Sequence, residues 1–459
     1  MKPTPSLPFF IDPLAGKTLF HPLIAAFVIL LCIAMIMAPR KYAVVWFILA
    51  QNFITNGQRL SLGGTNFQVM RIMICVAIIR IILRRENSFL KGILLDKIVV
   101  WYGVASTLAY TILRGTSGAF AYAMGSTLDS VGAYFVIRTL VRDEEDLRLL
   151  VTALVISSLA LVPLFFTEKK SGNNPFAAFG GVPLLSEVRE GRIRAQGPYS
   201  HSLLAGSYWA AAVPLFLRQL MLDRKGKAGL LLAIAASLLI IQLCAGSTPV
   251  LSLLAGLGAT LLYYQRASLP TIKIAFLAGL VVLSLVMSHP IWFLFSKIDI
   301  AGGSTGFFRY LLIDAFIKNW SEWLLFGVRD TIHWGRDLGL PAAGLGDITN
   351  QFIAEAVRGG AASLVLFIAG IVIVFGYLGE LITSTGEENE KKGYWQLAVC
   401  LVVHIFNYFG VSYFGQVRFS WWMTLAICGS FYQAKFGALP APIGSREPRL
   451  TLLRQGNIQ

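Results

Sequence analysis

Apolar runs of about 18 residues or more recur along nearly the whole chain, each long enough to cross about 30 Å of hydrocarbon as a helix. Hydrophobic residues fill 56% of the 459 positions and charged ones 14%, whereas soluble domains hold roughly 45–50% and about 25%. In hydrocarbon a backbone must satisfy its own hydrogen bonds, which leaves helices or closed barrels, and runs of this length select helices. The sequence therefore predicts an all-α polytopic membrane protein with about 12–13 transmembrane helices. The first run, at about residues 21–38, is longer than a signal-peptide core and lacks a small-x-small cleavage site, so it reads as a retained helix. The short second run, at about 42–56, predicts a tilted or re-entrant segment.

The formal charge of +15 has a topological reading rather than a nucleic-acid one. Lys and Arg fall in short polar intervals, among them Arg84-Arg85, Arg138 to Arg148, Arg218 to Lys227, and a tail with Arg446, Arg449 and Arg454. Basic short loops mark the cytoplasmic face. Counting back from the tail puts the two long polar intervals, 167–199 and 296–360, on the opposite face. The expected organisation is N-terminal helices over 1–166, a first outer loop over 167–199, central helices over 200–295, a large outer loop with an amphipathic helix over 296–360, C-terminal helices over 361–434, and a basic tail over 435–459. Near the ends of the third span lie Arg71, on the outer side, and Arg80, expected to snorkel to the inner interface.

Two long loops in an otherwise economical membrane protein carry the functional expectation. The first holds Arg189, Arg192 and Arg194 before the Gly197-Pro198 break, after which His201-Ser202 opens a helix, with Ser expected as its cap. The second holds Arg309 and Asp314, then Trp320, Trp323, His333, Asp347 and Asn350, with Glu355 leading into the next span. Fixed guanidinium groups at the mouth of an apolar bundle suit a phosphate or diphosphate on a lipid. No Walker A, GxGxxG, HExxH or GxSxG run is present, and the five cysteines form no CxxC or Cys/His cluster. No metal or cofactor is expected.

Several of these segments carry a family resemblance. Arg194-Ala195-Gln196-Gly197 followed by Ser202 to Ala205, then Arg309, the Phe326-Gly327-Val328 turn, and Asn350 with Glu355 and Gly359-Gly360 resemble the O-antigen ligase and O-antigen polymerase superfamily of bacterial envelope glycan transferases. The motifs cover roughly residues 190–370. Ligases of that family carry a His-Asn pair where this chain has Thr349-Asn350, which tilts the expectation towards polymerisation.

The resemblance implies a multi-pass protein of the bacterial inner membrane with its site on the periplasmic face. It implies a donor glycan on undecaprenyl diphosphate, and an acceptor that is a glycan or lipid A core. The partners implied are the bilayer and other polysaccharide-assembly proteins such as a chain-length regulator. In that frame Arg194 and Arg309 are expected to bind the diphosphate, with Arg189, Arg192, Arg71 and Asn350 as further substrate contacts. The expected general bases are His333 first, then Asp347, Asp314 and Glu355. A lipid-linked oligosaccharide flippase and a non-catalytic assembly component are the alternative expectations.

Overall fold

The computed structural model of the protein describes residues 17–62, 65–223, 226–297, 306–338 and 345–437. The basic tail beyond 437, Arg224-Lys225 and the Gly302 to Thr305 segment lie outside the described residues. The described chain is helical almost throughout. Helices α1 (Pro22–Met37) and α2 (Arg40–Phe53) lead through a hairpin, β1 (Arg59–Leu62) and β2 (Thr65–Gln68), into α3 (Val69–Leu83). Helix α4 (Leu94–Arg114) follows, then α5 (Ser117–Thr127), a π-helical turn at Leu128–Gly132, and α6 (Ala133–Leu140). Helix α7 (Glu144–Ser171) precedes a second hairpin, β3 (Glu187–Arg189) and β4 (Arg192–Arg194). Helices α8 (Ser202–Leu222), α9 (Lys227–Leu243), α10 (Ser247–Leu261) and α11 (Leu269–Val286) form the central part. The shorter α12 (Gly306–Lys318) and α13 (Trp320–Trp323) come next, then α14 (Gln351–Ser384), α15 (Glu388–Tyr408) and α16 (Gly415–Phe436).

By length and composition, three helical stretches among the described residues are able to cross a membrane: Glu144–Ser171, Ser247–Val286 and Gln351–Ser384. Helix ends follow local chemistry. Asp143 accepts the amide of Asp146 at the start of α7, three acids occupy its first turn, and Gly172 at φ +74 ends it after Lys169-Lys170, the charge order that the helix dipole favours. Helices α8 and α16 are buried on almost every side. Small residues permit this: a Cβ on Gly206 of α8 would stand 2.7 Å from Pro249, and one on Gly429 of α16 3.2 Å from Ile93. By contrast α11 buries none of its residues and exposes Ile274, Phe276, Leu277 and Leu285, an apolar surface that suits hydrocarbon rather than water.

Some expectations need correcting. Arg80 does not snorkel: its side chain is fully buried, with Glu86 taking two of its nitrogens at 3.1 and 2.8 Å and the Met35 and Ala38 carbonyls taking a third. A guanidinium with an acid six residues away is held inward more cheaply than it is exposed to lipid. Helix α8 is capped by the His201 imidazole, which accepts the Leu203 amide, and not by Ser202. Helix α14 begins at Gln351 rather than near 361, because Asn350 caps it by accepting the Ile353 amide; the second long interval is thus shorter than its polarity suggests.

That early start is paired with a break. Gly360 sits at φ +68 and ψ −172 inside α14, a region open essentially to glycine alone. The groups freed by the break are taken up by the Phe326-Gly327-Val328 turn: Ala361 N–H donates to the Leu324 carbonyl and Val328 N–H to that of Val357, both at 2.9 Å. Such broken helices are tolerated at membrane depth where neighbouring protein re-satisfies the backbone. A Cβ on Gly360 would lie 2.2 Å from the Leu325 carbonyl oxygen. Gly360→Ala should therefore cost at least about 1–3 kcal/mol from backbone strain alone, read as a lower thermal midpoint of the purified protein in detergent. Gly376→Ala, in the same helix with nothing within 4 Å, should leave the midpoint unchanged or slightly raised; equal midpoints for the two variants would contradict this account.

Candidate functional site

The β3–β4 hairpin is built by its turn. Glu190 and Gly191 both have positive φ, +52 and +72, the two-residue geometry whose twist matches antiparallel strands. Glu187 then faces Arg194 and Arg189 faces Arg192 in register. Side chains alternate along a strand, so one face of the hairpin carries three arginines and a single glutamate. The hairpin is tied to α7 by the buried Glu168 carboxylate, which accepts from the Gln196 and Gly197 amides at 2.9 and 2.8 Å and from the Ser186 hydroxyl at 2.8 Å. Gly197 at φ +58 passes so close to Phe165 that a Cβ would lie 2.4 Å away. Ala195 N–H donates to the Leu243 carbonyl at 3.2 Å, and this brings Arg194 to the junction of α9 and α10.

That junction is where the two loops meet. Ala245 turns the chain at φ +48, and Gly246 opens α10 with no side-chain cap. The Arg194 Nη2 lies 3.6 Å from where a Gly246 Cβ would be. Arg309, from α12, donates through Nη2 to the Thr248 hydroxyl at 2.9 Å. Two guanidinium groups from separate loops thus flank the first turn of a 15-residue helix, whose unpaired amides already favour an anion. Arg189 is close enough, together with burial, to push the Arg309 guanidinium down from its usual value, burial being the larger cause.

The counter-charges are few. Glu187 takes Arg194 Nη1 on both oxygens, at 3.2 and 3.0 Å, and stands 3.3 Å from His201 Nε2. His201 Nδ1 accepts the Leu203 amide, so the ring proton belongs on Nε2, directed at Glu187. Burial, then Arg194, push the His201 pKa below its ordinary 6.5, so the neutral ring is favoured. Asp347 acts on His201 across this space, and its own carboxyl is raised above 3.8 by desolvation, His201 pulling the other way. Several buried polar atoms here have no hydrogen-bond partner: Arg194 Nε, Arg309 Nε, Ser202 Oγ and Thr349 Oγ1. Buried polar groups are seldom left so, and these donors are open to acceptor oxygens of water or a ligand.

The structure therefore brings together Arg194, Arg309 and Arg189, with Arg192 on the same hairpin face and Asp347 within electrostatic reach of His201. It does not bring in the others. His333 is paired with Glu322 at 2.7 Å and Asp330 at 3.6 Å under α13. Asp314 accepts from Trp292 at 3.3 Å and Lys318 at 2.8 Å. Glu355 is bonded to Tyr102 and Gln351 inside the bundle, and Arg71 is locked bidentately to Asp129 at 2.9 and 2.6 Å. Asn350 spends its side chain on the α14 cap. Glu187, His201, Gly246 and Thr248 escaped sequence reasoning; only the charge opposition of Glu187 and Arg194 across a two-residue turn signals any of them.

Among the described residues no His, Cys, Asp and Glu group has the make-up of a metal site. No family model matches the sequence, and no curated protein matches it. The fold and site together describe a mostly helical protein, three of whose described helical stretches are long and apolar enough to cross a membrane, with a cationic site at the start of α10.

Inorganic pyrophosphate measures that pocket directly. Arg194→Ala or Arg309→Ala should each weaken its binding roughly 10–100-fold, the worth of a charge-assisted hydrogen bond of about 1.5–3 kcal/mol. Glu187→Gln should instead tighten it several-fold, since Glu187 competes for Arg194. Calorimetry on the detergent-solubilised protein reads both; an arginine variant with wild-type affinity would remove that residue from the site.

Proposed function

We propose that the protein is a glycan transferase of the bacterial inner membrane, with about 12–13 membrane-spanning helices and its site on the periplasmic face. Its donor is a glycan carried on undecaprenyl diphosphate, and its reaction is polymerisation of an O-antigen-like or other envelope polysaccharide. The observation that carries this reading is the convergence of Arg194 and Arg309 on the uncapped first turn of α10. A diphosphate is already a good leaving group, so an enzyme acting on it needs to bind and neutralise it, which fixed cations and a helix N-terminus do.

The acceptor hydroxyl oxygen attacks the anomeric carbon from the face opposite the diphosphate, forming the new C–O bond with inversion. The bond from that carbon to the phosphate oxygen breaks, and its electron pair leaves on the diphosphate held by Arg194, Arg309 and the α10 amides. The hydroxyl proton passes to Asp347, the candidate base within electrostatic reach of His201, which Arg194 also reaches. His201, neutral and hydrogen-bonded to Glu187, lines the same space without adding a second fixed cation.

This assignment predicts a pH profile. Asp347 must be ionised to accept a proton, and its pKa is raised, so the rate should fall on acidification at a pH above 3.8. Asp347→Asn should lower kcat about 10²–10⁴-fold and abolish that limb, while His333→Ala should leave kcat near wild type. The assay is polymer length on a gel after incubating purified protein with undecaprenyl-diphosphate-linked repeat units. Transfer to lipid A core would make it a ligase, and no new glycosidic bond would sink both catalytic readings. A lipid-glycan transporter is the second reading, favoured by the charged cluster of Glu355, Arg418, Arg71 and Asp129 among the helices; glycan translocation without bond formation in proteoliposomes would support it.

A further inference from the structure

A second polar place lies away from the arginine cluster, in a cleft between α4, α5, α14 and α16. It encloses about 40 Å³ and about 500 Å³ when its open mouth is counted. Tyr102, fully buried on α4, donates to Glu355 at 2.8 Å. Glu355 also accepts from the Gln351 side-chain amide at 2.5 Å, and the Gln351 Oε1 accepts the Tyr413 backbone amide. Arg418 donates to Ser126 at 2.8 Å. At the mouth stand Tyr110 and Tyr122, ring centres 5.2 Å apart, and Arg358, an exposed guanidinium on α14.

Helix breaks and irregular turns frame this cleft. The π-helical turn carries Ser130 to its wall and is held behind by the Arg71–Asp129 pair; a Cβ on Gly125 would lie 2.5 Å from Arg71 Nη1. Gly359, beside the α14 break, completes the lining. π-Turns and ionisable groups among apolar helices are both expensive, and both concentrate where a ligand is handled.

The mixture of charges narrows the ligand. Arg358 and Arg418 repel a cation, and Glu355 at depth repels a compact dianion such as free phosphate. A hydroxyl donates to a carboxylate and accepts from a guanidinium, so a polyhydroxylated ligand satisfies both. The tyrosine rings supply apolar faces for the C–H side of a sugar ring, the usual mixture of aromatic wall and few directed polar groups in a ligand pocket. Two arginines against one glutamate leave a net charge of +1, which also accommodates an acidic sugar.

Distance ties the cleft to the first site. Asp347 lies within electrostatic reach of His201, and Glu355 belongs to the cleft. Three residues of extended chain and five of helix separate them, which spans at most about 18 Å between Cα atoms. An oligosaccharide of a few sugars bridges that length. We propose that this cleft is the acceptor-glycan subsite, gripping the acceptor's sugars through Glu355, Arg418, Arg358 and the Tyr110/Tyr122 wall while the terminal hydroxyl reaches Asp347. The assignment to an acceptor rests on the transferase reading; the assignment to a sugar does not.

The test uses the full-length protein and the repeat-unit oligosaccharide released by mild acid from the lipid-linked glycan of the cells that encode it. Saturation-transfer NMR should show saturable binding to wild type, lost at least tenfold in Tyr122→Ala, Arg358→Ala and Glu355→Gln. The first two sit at the exposed mouth, and the third is isosteric, so folding is preserved; a wild-type thermal midpoint checks this. Pyrophosphate affinity should be unchanged in all three, and the KM for acceptor should rise at least tenfold with the KM for donor constant. Absence of oligosaccharide binding by wild type, or equal binding by all three variants, would overturn the subsite. Competition by inorganic phosphate at the concentration that fills the arginine pocket would also overturn it, because the oligosaccharide would then sit there instead. Cleft-dependent binding without any glycosidic bond formation would leave the sugar site standing and remove the transferase reading.

Discussion

A guanidinium set among apolar helices must be answered by oxygen atoms, and how well each is answered sorts the arginines of this protein. Arg80, Arg138 and Arg218 have buried side chains, and each is met by a carboxylate on a neighbouring segment, with distances between 2.6 and 3.2 Å. Arg138 adds Gln433 at 2.8 Å, and Asp96 is shared with Tyr134. Removing one partner from such a pair strands a buried charge, typically at about 3–5 kcal/mol. These pairs fasten the end of the bundle where α3, α6 and α8 finish. Arg194 and Arg309 are answered differently, by a half-exposed glutamate and by a neutral threonine hydroxyl. They are as deep in the protein as a ligand site requires and less satisfied than a structural role would leave them.

The helical architecture was legible because hydrocarbon imposes long uninterrupted apolar runs, a signal that needs no long-range information. Arg194 and Arg309 were legible as cations in two polar intervals on one face. What the sequence withholds is what each side chain meets across space. Arg80 and Arg71 look alike as arginines near the ends of one apolar run, yet one is pinned to a nearby loop acid and the other to a π-turn 58 residues away. His333 drew attention as a histidine in a polar loop, but the two acids around it, Glu322 and Asp330, consume it locally. Asp347 had no such prominence; it matters because α8 and the start of α14 bring it near His201, a relation invisible in linear order.

Helix α14 explains how two polar places coexist in one apolar bundle. Its cap at Asn350 lets it begin close to the arginine cluster, and its break at Gly360 is sealed by the Phe326-Gly327-Val328 turn. Between cap and break lie only nine residues, and they carry Glu355 and Arg358 into the cleft, with Gln351 bonded to Glu355 behind it. A continuous transmembrane helix would run its next turns against apolar neighbours, where those side chains would be costly. The short capped and broken segment makes room for them, with Tyr102 and Arg418 supplied by facing helices.

The Arg194–Glu187 contact has a consequence for how the arginine pocket fills. Glu187 is about 42% exposed, so its ion pair is screened and worth roughly 1 kcal/mol or less. On the proposed reading a diphosphate would offer several anionic oxygens to Arg194, Arg309 and the α10 amides at once, enough to displace Glu187 at little cost. Until then Glu187 keeps Arg194 from facing an uncompensated buried charge, and its hydrogen bond holds His201 in one tautomer. The hairpin turn at Glu190-Gly191 is exposed. Glu187 therefore offsets only one of the clustered cations, and Arg309, met by the Thr248 hydroxyl, keeps its charge without a carboxylate partner among the described residues.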